Sequence, residues 1–258
     1  PAEFMAAVLT NDGGFYRPGA YIQEARRMGL KILPPYINYA RFGYQGAERS
    51  LMVGFMAVKN LSRKTIEKIE QMQPFADLGD FLARVRPAKD EAESLVGCGA
   101  LDRLGYNRPQ LMWIIQKKEN LPSADLLTGV QPEKIKAPPV QDLDLNERLR
   151  MEMESLDYTI SAHPLSLYEN VSRKEKAVHA SSFKKFRGKV IPSVAWLVTR
   201  KMTRTSRGDY MMFLSMEDTS SAFEAVMFPG VYERFGGQLM GQGPYLMHGK
   251  VVSDSGVI

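Results

Sequence analysis

The stretch Leu95-Val96-Gly97-Cys98-Gly99-Ala100-Leu101 decides how this chain is interpreted, because it places a Gly-x-Gly turn between apolar residues. A helical pattern that begins at Arg108-Pro109 follows it. Glycine lets the chain turn where a side chain is disfavoured, so the pattern predicts a helix-hairpin-helix unit. Main-chain amides in such a turn face a phosphate at close range. The alternative is that one glycine ends a helix and the other lets two ordinary helices pack closely.

Composition and charge narrow the class of protein. With 258 residues, of which 44% are hydrophobic, the chain is expected to form one to three domains. No apolar run approaches the roughly 20 residues of a membrane span, so we expect no membrane partner. The single cysteine, Cys98, excludes an internal disulfide and fits a cytoplasmic setting. A net charge of +5 permits a polyanionic partner without requiring one.

The first two thirds of the chain carry mainly helical patterns. Residues 1–49 hold two amphipathic helices and a short strand, and residues 50–120 hold two helix pairs in tandem. The turn of the first pair, Lys59-Asn60-Leu61-Ser62, has no glycine, but asparagine tolerates the left-handed conformation. We therefore expect Asn60 to replace one glycine and Ser62 to cap the next helix, which ends at Met72.

A Pro-rich linker is predicted over residues 121–145. The run Ser123-Ala124-Asp125-Leu126-Leu127 interrupts it, and an apolar pair in such a stretch is typical of a short docking peptide. The alternative is that both leucines pack on a neighbouring domain. Connecting helices are predicted over residues 146–188, where His163 has no second ligand or base at a suitable spacing and is interpreted as structural.

Strands replace helices over residues 189–258. The predicted strands are Val190–Val198, Tyr210–Met216, Ala222–Met227 and Tyr245–Val252, with a short helix at Pro229–Phe235. This order predicts an OB-fold barrel. Since the chain stops where a fifth strand would begin, and opens at Pro1 without an initiator methionine, we expect it to be clipped at both ends. The fold class is therefore α+β and multidomain, with a truncated β-barrel after a mainly helical part.

The segment between the first two of these strands is rich in cations and hydroxyl groups, which suit backbone phosphates. Tyr210 and Phe213 are candidate platforms for stacked bases. The alternative is a solvated hairpin tip with no ligand. Alternation places Phe213 on one face of the second strand and Leu214 on the other. Neither face is plainly polar, so the face that packs in the core stays open.

Several motifs in one order resemble the C-terminal part of the alpha subunit of bacterial DNA polymerase III, a C-family polymerase. Pro1-Ala2-Glu3-Phe4-Met5-Ala6-Ala7 is similar to the family's PxEFxAA segment. Glu24-Ala25-Arg26-Arg27-Met28-Gly29 and Leu33-Pro34-Pro35-Tyr36-Ile37-Asn38 are similar to EARRMGI and LPPDVN. Leu95 to Gly105, Ser161 to Leu165 and Met212 to Pro229 resemble further motifs of the family.

This resemblance implies a function, which is to hold primer-template or single-stranded DNA and to engage the sliding clamp during DNA replication. Residues 1–49 would form the end of the fingers domain, and residues 50–120 would bind duplex DNA. Residues 121–145 would bind the sliding clamp, and residues 189–258 would bind single-stranded DNA. The residues expected to contact DNA are Asn60, Ser62, Lys64, Gly97, Cys98, Gly99, Arg103, Arg108, Arg200, Lys201, Arg204, Arg207, Tyr210 and Phe213. Those expected to contact the clamp are Ser123, Asp125, Leu126 and Leu127. Other polymerase holoenzyme subunits are further expected partners.

The resemblance also implies what this chain lacks. The parent would be a DNA-directed DNA polymerase, a nucleotidyltransferase, whose palm carries catalytic aspartates and binds Mg²⁺. Nothing here matches that palm, so we expect no cofactor and no polymerase activity from this chain alone.

Two departures weaken the predicted contacts. The family's first hairpin usually reads Gly-Val-Gly, so the turn at Asn60 is expected to grip DNA less well. Its clamp motif usually reads Gln-x-x-Leu/Met-Phe, and here the glutamine and the aromatic residue are missing. Met112-Trp113 is similar to the error-prone, translesion branch of these polymerases. Open alternatives are that branch, a stand-alone nucleic-acid-binding protein, and a protein-interaction module with a solvated basic loop.

Overall fold

The computed structural model describes residues 1–118 and 137–252. The chain divides into two compact units, Pro1–Ala162 and His163–Ile258. Each unit contains its own clusters of buried apolar side chains. The predicted order of a helical part followed by a strand-rich part is confirmed. None of the helices in the described ranges has the length and apolar character that crossing a bilayer requires.

The first unit is built mainly of helices. Short polar side chains cap three of them, because Ser62, Asp77 and Asp144 each accept a hydrogen bond from the main chain three residues later. The predicted cap at Ser62 is thereby confirmed. The helices are α1 (Ala2–Thr10), α2 (Pro18–Arg27), α3 (Arg63–Met72), α4 (Leu78–Val85), α5 (Lys89–Gly97), α6 (Arg108–Lys118) and α7 (Leu145–Leu156).

A small sheet also lies in the first unit. Its strands are β1 (Lys31–Leu33), β2 (Gln45–Ala47) and β3 (Ser50–Met52), in the order β1-β3-β2. β3 pairs with β1 in parallel and with β2 antiparallel, so Ser50 lies opposite both Lys31 and Ala47. The sequence predicts a strand at β1 but leaves β2 unassigned. A short 3-10 helix, Phe55–Ala57, follows β3.

One apolar core runs through the first unit. It joins α1 and α2 to the small sheet and to the helices up to α7, so residues on both sides of the predicted boundary at 49/50 pack together. The largest fully buried side chains include Ile22, Leu51, Phe55, Ile69, Phe81, Leu95, Leu101 and Leu111. The two segments that the sequence divides at 49/50 thus share a core in this chain.

The second unit centres on an antiparallel sheet in the order β6-β5-β4-β7. Its strands are β4 (Val190–Arg204), β5 (Tyr210–Glu217), β6 (Ala222–Met227) and β7 (Tyr245–Lys250). The long β4 pairs with β7 through its first half and with β5 through its second half, so the sheet curls into a half-barrel. Along the chain, helix α9 (Pro229–Phe235) follows β6 and precedes β7, as the predicted OB-like order requires. Helix α8 (Glu169–Lys174) and a 3-10 helix, Ala180–Phe186, precede the sheet.

The structure decides which face of β5 forms the core. Met212, Leu214 and Met216 are buried, whereas the Phe213 side chain is 40% exposed. β4 continues past the predicted end at Val198 to Arg204. The cationic segment is therefore mostly strand, and only residues around 205–209 form the turn.

Candidate nucleic-acid interface

The Gly-Cys-Gly turn at the end of α5 is buried. The amide of Cys98 donates to the carbonyl of Ser94 at 3.0 Å, and the amide of Gly99 donates to that of Val96 at 3.0 Å. Cys98 has no exposed surface. Our expectation that Gly97, Cys98 and Gly99 present amides to a phosphate is therefore corrected, because these groups are out of reach and two of the amides are already bonded. The alternative interpretation, a helix end beside a close helix contact, describes the turn.

The two glycines are explained by packing. A side chain at Gly97 would clash with the hydroxyl of Ser155 on α7, so glycine lets α5 and α7 approach. Gly99 has φ +82° and ends the helical stretch, where a side chain would also clash with Arg108. Both positions need glycine for reasons internal to the fold.

Arg108 is buried as well, with 3% of its surface exposed. Its guanidinium donates to Asp102 at 2.9 Å and to the carbonyl of Gly97 at 2.9 Å, and Glu152 lies 3.7 Å away. Burial alone would lower the pKa of Arg108, but the hydrogen bonds and charge of Asp102 and the charge of Glu152 raise it. Arg108 therefore ties α6 to the end of α5, and the expected phosphate contact is corrected.

The first hairpin, which lacks glycine, is the exposed one. Asn60 adopts φ +60°, as predicted for a residue that replaces glycine. Asn60, Ser62 and Lys64 are all exposed at the start of α3. The amides of Ser62 and Thr65 are already bonded, to the carboxylate of Glu91 and to the hydroxyl of Ser62. The exposed groups that suit a phosphate here are therefore the side chains of Asn60 and Lys64.

Arg103 lies in the connection between α5 and α6, and it is exposed. Its guanidinium lies 3.9 Å from the ring centroid of Tyr36. The expected DNA-binding residues of the first unit are thus divided, with Asn60, Ser62, Lys64 and Arg103 at the surface and the others inside.

The outer face of the half-barrel carries a row of exposed side chains across three strands. Lys201 on β4 lies opposite Phe213 on β5, and Phe213 lies opposite Val226 on β6. Directly opposed residues share a face, so the three side chains are neighbours. Phe213 and Val226 are 40% and 38% exposed. We call Lys201, Phe213 and Val226 the outer row.

The other predicted residues of the second unit lie off this row. Arg200 is exposed, and its guanidinium donates one hydrogen bond to the carbonyl of Leu239, so its DNA contact stays a prediction. Arg204 lies over the ring of Tyr210 at 4.8 Å and donates to its hydroxyl at 2.6 Å. Arg207 is exposed in the turn that follows. The hairpin end therefore presents Arg204 against an aromatic ring, with Arg207 exposed in the turn.

Two apolar residues of this surface are missing from the sequence prediction. Val226 belongs to the outer row, and Phe228 directly after β6 is 63% exposed. The signal was present in the strict alternation of β6, which places Val226 and Glu224 outward. Register with β5 was needed to put Val226 beside Phe213.

The remaining site predictions are not placed by the structure. Ser123, Asp125, Leu126 and Leu127, the predicted clamp contacts, lie outside the described residues. Within residues 1–118 and 137–252, no three side chains of His, Cys, Asp or Glu come together as metal ligands would.

Comparison with sequence families defines the class of the first unit. Residues 29–111 match the family described as a helix-hairpin-helix motif. This range includes the exposed turn at Asn60, the buried turn at Cys98 and the beginning of α6. The first unit therefore contains a region similar to the helix-hairpin-helix motif, and the two turns in this region differ in exposure.

Over most of its length the chain is similar to a segment of bacterial DNA polymerase III alpha subunits and of error-prone DNA polymerases. It is 32% identical to DNA polymerase III subunit alpha of Thermus aquaticus, over 97% of this chain and 22% of that protein. It is 30% identical to the same subunit of Bacillus subtilis (strain 168), over 89% of this chain and 22% of that protein. An error-prone DNA polymerase of Rhodopirellula baltica is 26% identical over 100% of this chain and 24% of its own length. The resemblance predicted from the motifs is confirmed, and this chain spans 22–24% of the length of these three relatives.

Proposed function

We propose that this chain is the DNA-holding portion of a C-family DNA polymerase. It retains primer-template or single-stranded DNA while nucleotidyl transfer takes place elsewhere in the parent protein. The observation that carries the proposal is the outer row, a cation beside an exposed aromatic ring on an OB-like sheet. Single strands are held by this combination, because cations bind the phosphates and bases stack on rings.

Duplex contact is assigned to the exposed turn at Asn60. Its hydroxyl and amide side chains and the cation of Lys64 face solvent at the start of α3. Such contacts position a duplex through its phosphates without reading its sequence. The buried turn at Cys98 then serves the fold of the unit and not the ligand.

We also propose that this chain binds the sliding clamp, and the support for this is the sequence of residues 123–127 alone. Leu126 and Leu127 supply apolar anchors, but the aromatic residue of the family motif is missing. Loss of a buried aromatic anchor costs about 2–4 kcal/mol, so a weak clamp contact is expected.

A second candidate is the same portion of an error-prone polymerase. The pair Met112-Trp113, which is similar to the error-prone branch, supports this candidate. So does the match to the Rhodopirellula baltica protein, although its 26% identity is below the 32% to the Thermus aquaticus subunit. Both candidates predict the same DNA contacts and differ in the parent enzyme.

The test measures the affinity of the protein for an end-labelled oligothymidylate at a series of salt concentrations. Fluorescence anisotropy of the label reports the binding. Phosphate contacts make log affinity fall with log salt, by about 0.7 per contact for a single strand. Lys201→Ala should reduce that slope by about one contact. Phe213→Ala should weaken binding about fivefold or more without changing the slope, since it removes stacking and not charge.

Phe235→Ala is the matched control, because Phe235 has the same 40% exposure as Phe213 but lies on α9. It should bind like the unchanged protein. Absence of binding at low salt, or an affinity independent of salt, would reject the proposal. If the Phe213 and Phe235 variants lose equal affinity for the oligothymidylate, the outer row is not the binding site.

A further inference from the structure

Two tyrosines and one arginine form an exposed cluster in the first unit. The guanidinium of Arg103 lies 3.9 Å from the ring centroid of Tyr36 and 5.7 Å from that of Tyr39. Tyr39 is 58% exposed, which is high for a large aromatic side chain. We call these three residues the tyrosine platform.

The turn that carries the tyrosines is firmly held on its inner side. Ile37 and Ala40 are buried, with 2% and 0% of their surfaces exposed. The amide of Ile37 donates to the carbonyl of Ala100 at 2.9 Å, which joins this turn to the connection that bears Arg103. The amide of Tyr39 donates to the carbonyl of Tyr36 at 2.9 Å. The platform is therefore preorganised, so that a ligand need not order it.

The charge of Arg103 is not neutralised by its neighbour. Asp102 next to it is bound to Arg108 at 2.9 Å, and Arg103 itself makes no ion pair in the described part of the chain. A cation over an aromatic ring contributes more when a ligand shields it from water. Its exposed nitrogen atoms are suited to a phosphate oxygen, which guanidinium groups bind with directed hydrogen bonds.

We propose that the tyrosine platform binds an unpaired nucleobase of the DNA held by this chain, with Tyr39 stacking on the base and Arg103 bonding to an adjoining phosphate. Tyrosine rings stack on every base, so the site is expected to accept any sequence. The inference rests on the proposed function and adds to it a second contact for single-stranded DNA, in the helix-hairpin-helix unit. Tyr36 orients the guanidinium and is a positioning residue.

The test compares an oligothymidylate with an abasic oligomer of equal length and charge, by fluorescence anisotropy. Tyr39→Leu should weaken binding of the oligothymidylate about fivefold or more while leaving the abasic oligomer unchanged, because leucine keeps apolar surface but removes the ring. Tyr39→Phe should bind like the unchanged protein. Phe15→Leu is the matched control, since Phe15 is 87% exposed in the same unit and has no cation over its ring among the described contacts. Photocrosslinking to an oligomer that contains iododeoxyuridine should label the peptide around Tyr39.

The outcomes separate this inference from the function on which it rests. If the protein binds the oligothymidylate with the expected salt dependence but Tyr39→Leu has no effect and no crosslink maps near residue 39, the platform is rejected and the function stands. An equal loss for both oligomers in Tyr39→Leu also rejects stacking. If the protein binds neither oligomer, the proposed function fails and the platform fails with it. Melting temperatures of the variants equal to that of the unchanged protein exclude unfolding as the cause.

Discussion

Gly97 lies where α5 meets α7, and a methyl group there would clash with the hydroxyl of Ser155. Ser155 is buried and short, so it has little room to move aside. We expect Gly97→Ala to lower the free energy of unfolding by about 1–3 kcal/mol, the usual cost of overpacking a core. Urea unfolding followed by circular dichroism measures this change, and adding Ser155→Gly should recover part of it.

The control for this residue is Gly230→Ala on α9, where a methyl group meets no atom within 4 Å. Its stability should not fall, since alanine favours a helix over glycine. At a temperature where Gly97→Ala is folded, its affinity for duplex DNA should equal that of the unchanged protein. A loss of duplex affinity with unchanged stability would contradict the packing role and restore the phosphate contact predicted from sequence.

At the scale of elements, Glu91 on α5 fixes the start of α3. Its carboxylate accepts hydrogen bonds from the amide of Ser62 at 3.0 Å, the hydroxyl of Thr65 at 2.9 Å and the amide of Ala88 at 2.9 Å. Burial alone would raise the pKa of Glu91, but these bonds outweigh it and hold the pKa below the ordinary 4.5. A carboxylate with a lowered pKa stabilises the fold above the unfolded value, and that contribution is lost as pH falls through the folded value.

Glu91→Gln should therefore cost about 1–3 kcal/mol of unfolding free energy at neutral pH, because amides lose a charged acceptor. The difference from the unchanged protein should shrink as pH falls below 4.5. Chemical unfolding at a series of pH values measures it. Glu93→Gln, on the same helix, is the control and should have little effect. A difference that stays constant down to acid pH would show that the charge of Glu91 does not matter.

The elements that sequence alone predicted well are those whose signals are local. Helix α3 has its Ser62 cap and helix α9 has Pro229 at its start, and both were predicted with the observed bounds. β2 was not predicted, because a strand of three residues that includes Gly46 is too short to show the alternation of apolar and polar residues. The burial of the turn at Cys98 was also beyond local signals, since it depends on α7, which lies far along the chain. Likewise, the hydrogen bond from Arg200 to the carbonyl of Leu239 has no local signal, because the two residues lie 39 positions apart.

At the scale of the whole molecule, each unit holds one of the two tryptophans, Trp113 in the first and Trp196 in the second. Each unit also has its own buried apolar clusters, which include Phe81 in the first and Met216 in the second. Truncation of a large core side chain to alanine costs about 2–5 kcal/mol, and it should act on the unit that contains it. We expect Phe81→Ala to lower the urea midpoint that Trp113 reports. Met216→Ala should lower the urea midpoint that Trp196 reports.

Two single-tryptophan proteins, Trp113→Phe and Trp196→Phe, make the measurement possible, because the fluorescence of each then reports one unit. Each core variant, Phe81→Ala or Met216→Ala, is made in each single-tryptophan protein. Tryptophan fluorescence then reports the unfolding of each protein in urea. A shift confined to the tryptophan of the altered unit establishes that the units unfold as separate cooperative bodies, since a two-state chain has a single midpoint for every probe. Equal shifts of both midpoints in either core variant would contradict this expectation and show that the whole chain unfolds as one body. Separate unfolding would also let the DNA contacts of the outer row be measured while the first unit is destabilised, which isolates each unit's share of the affinity.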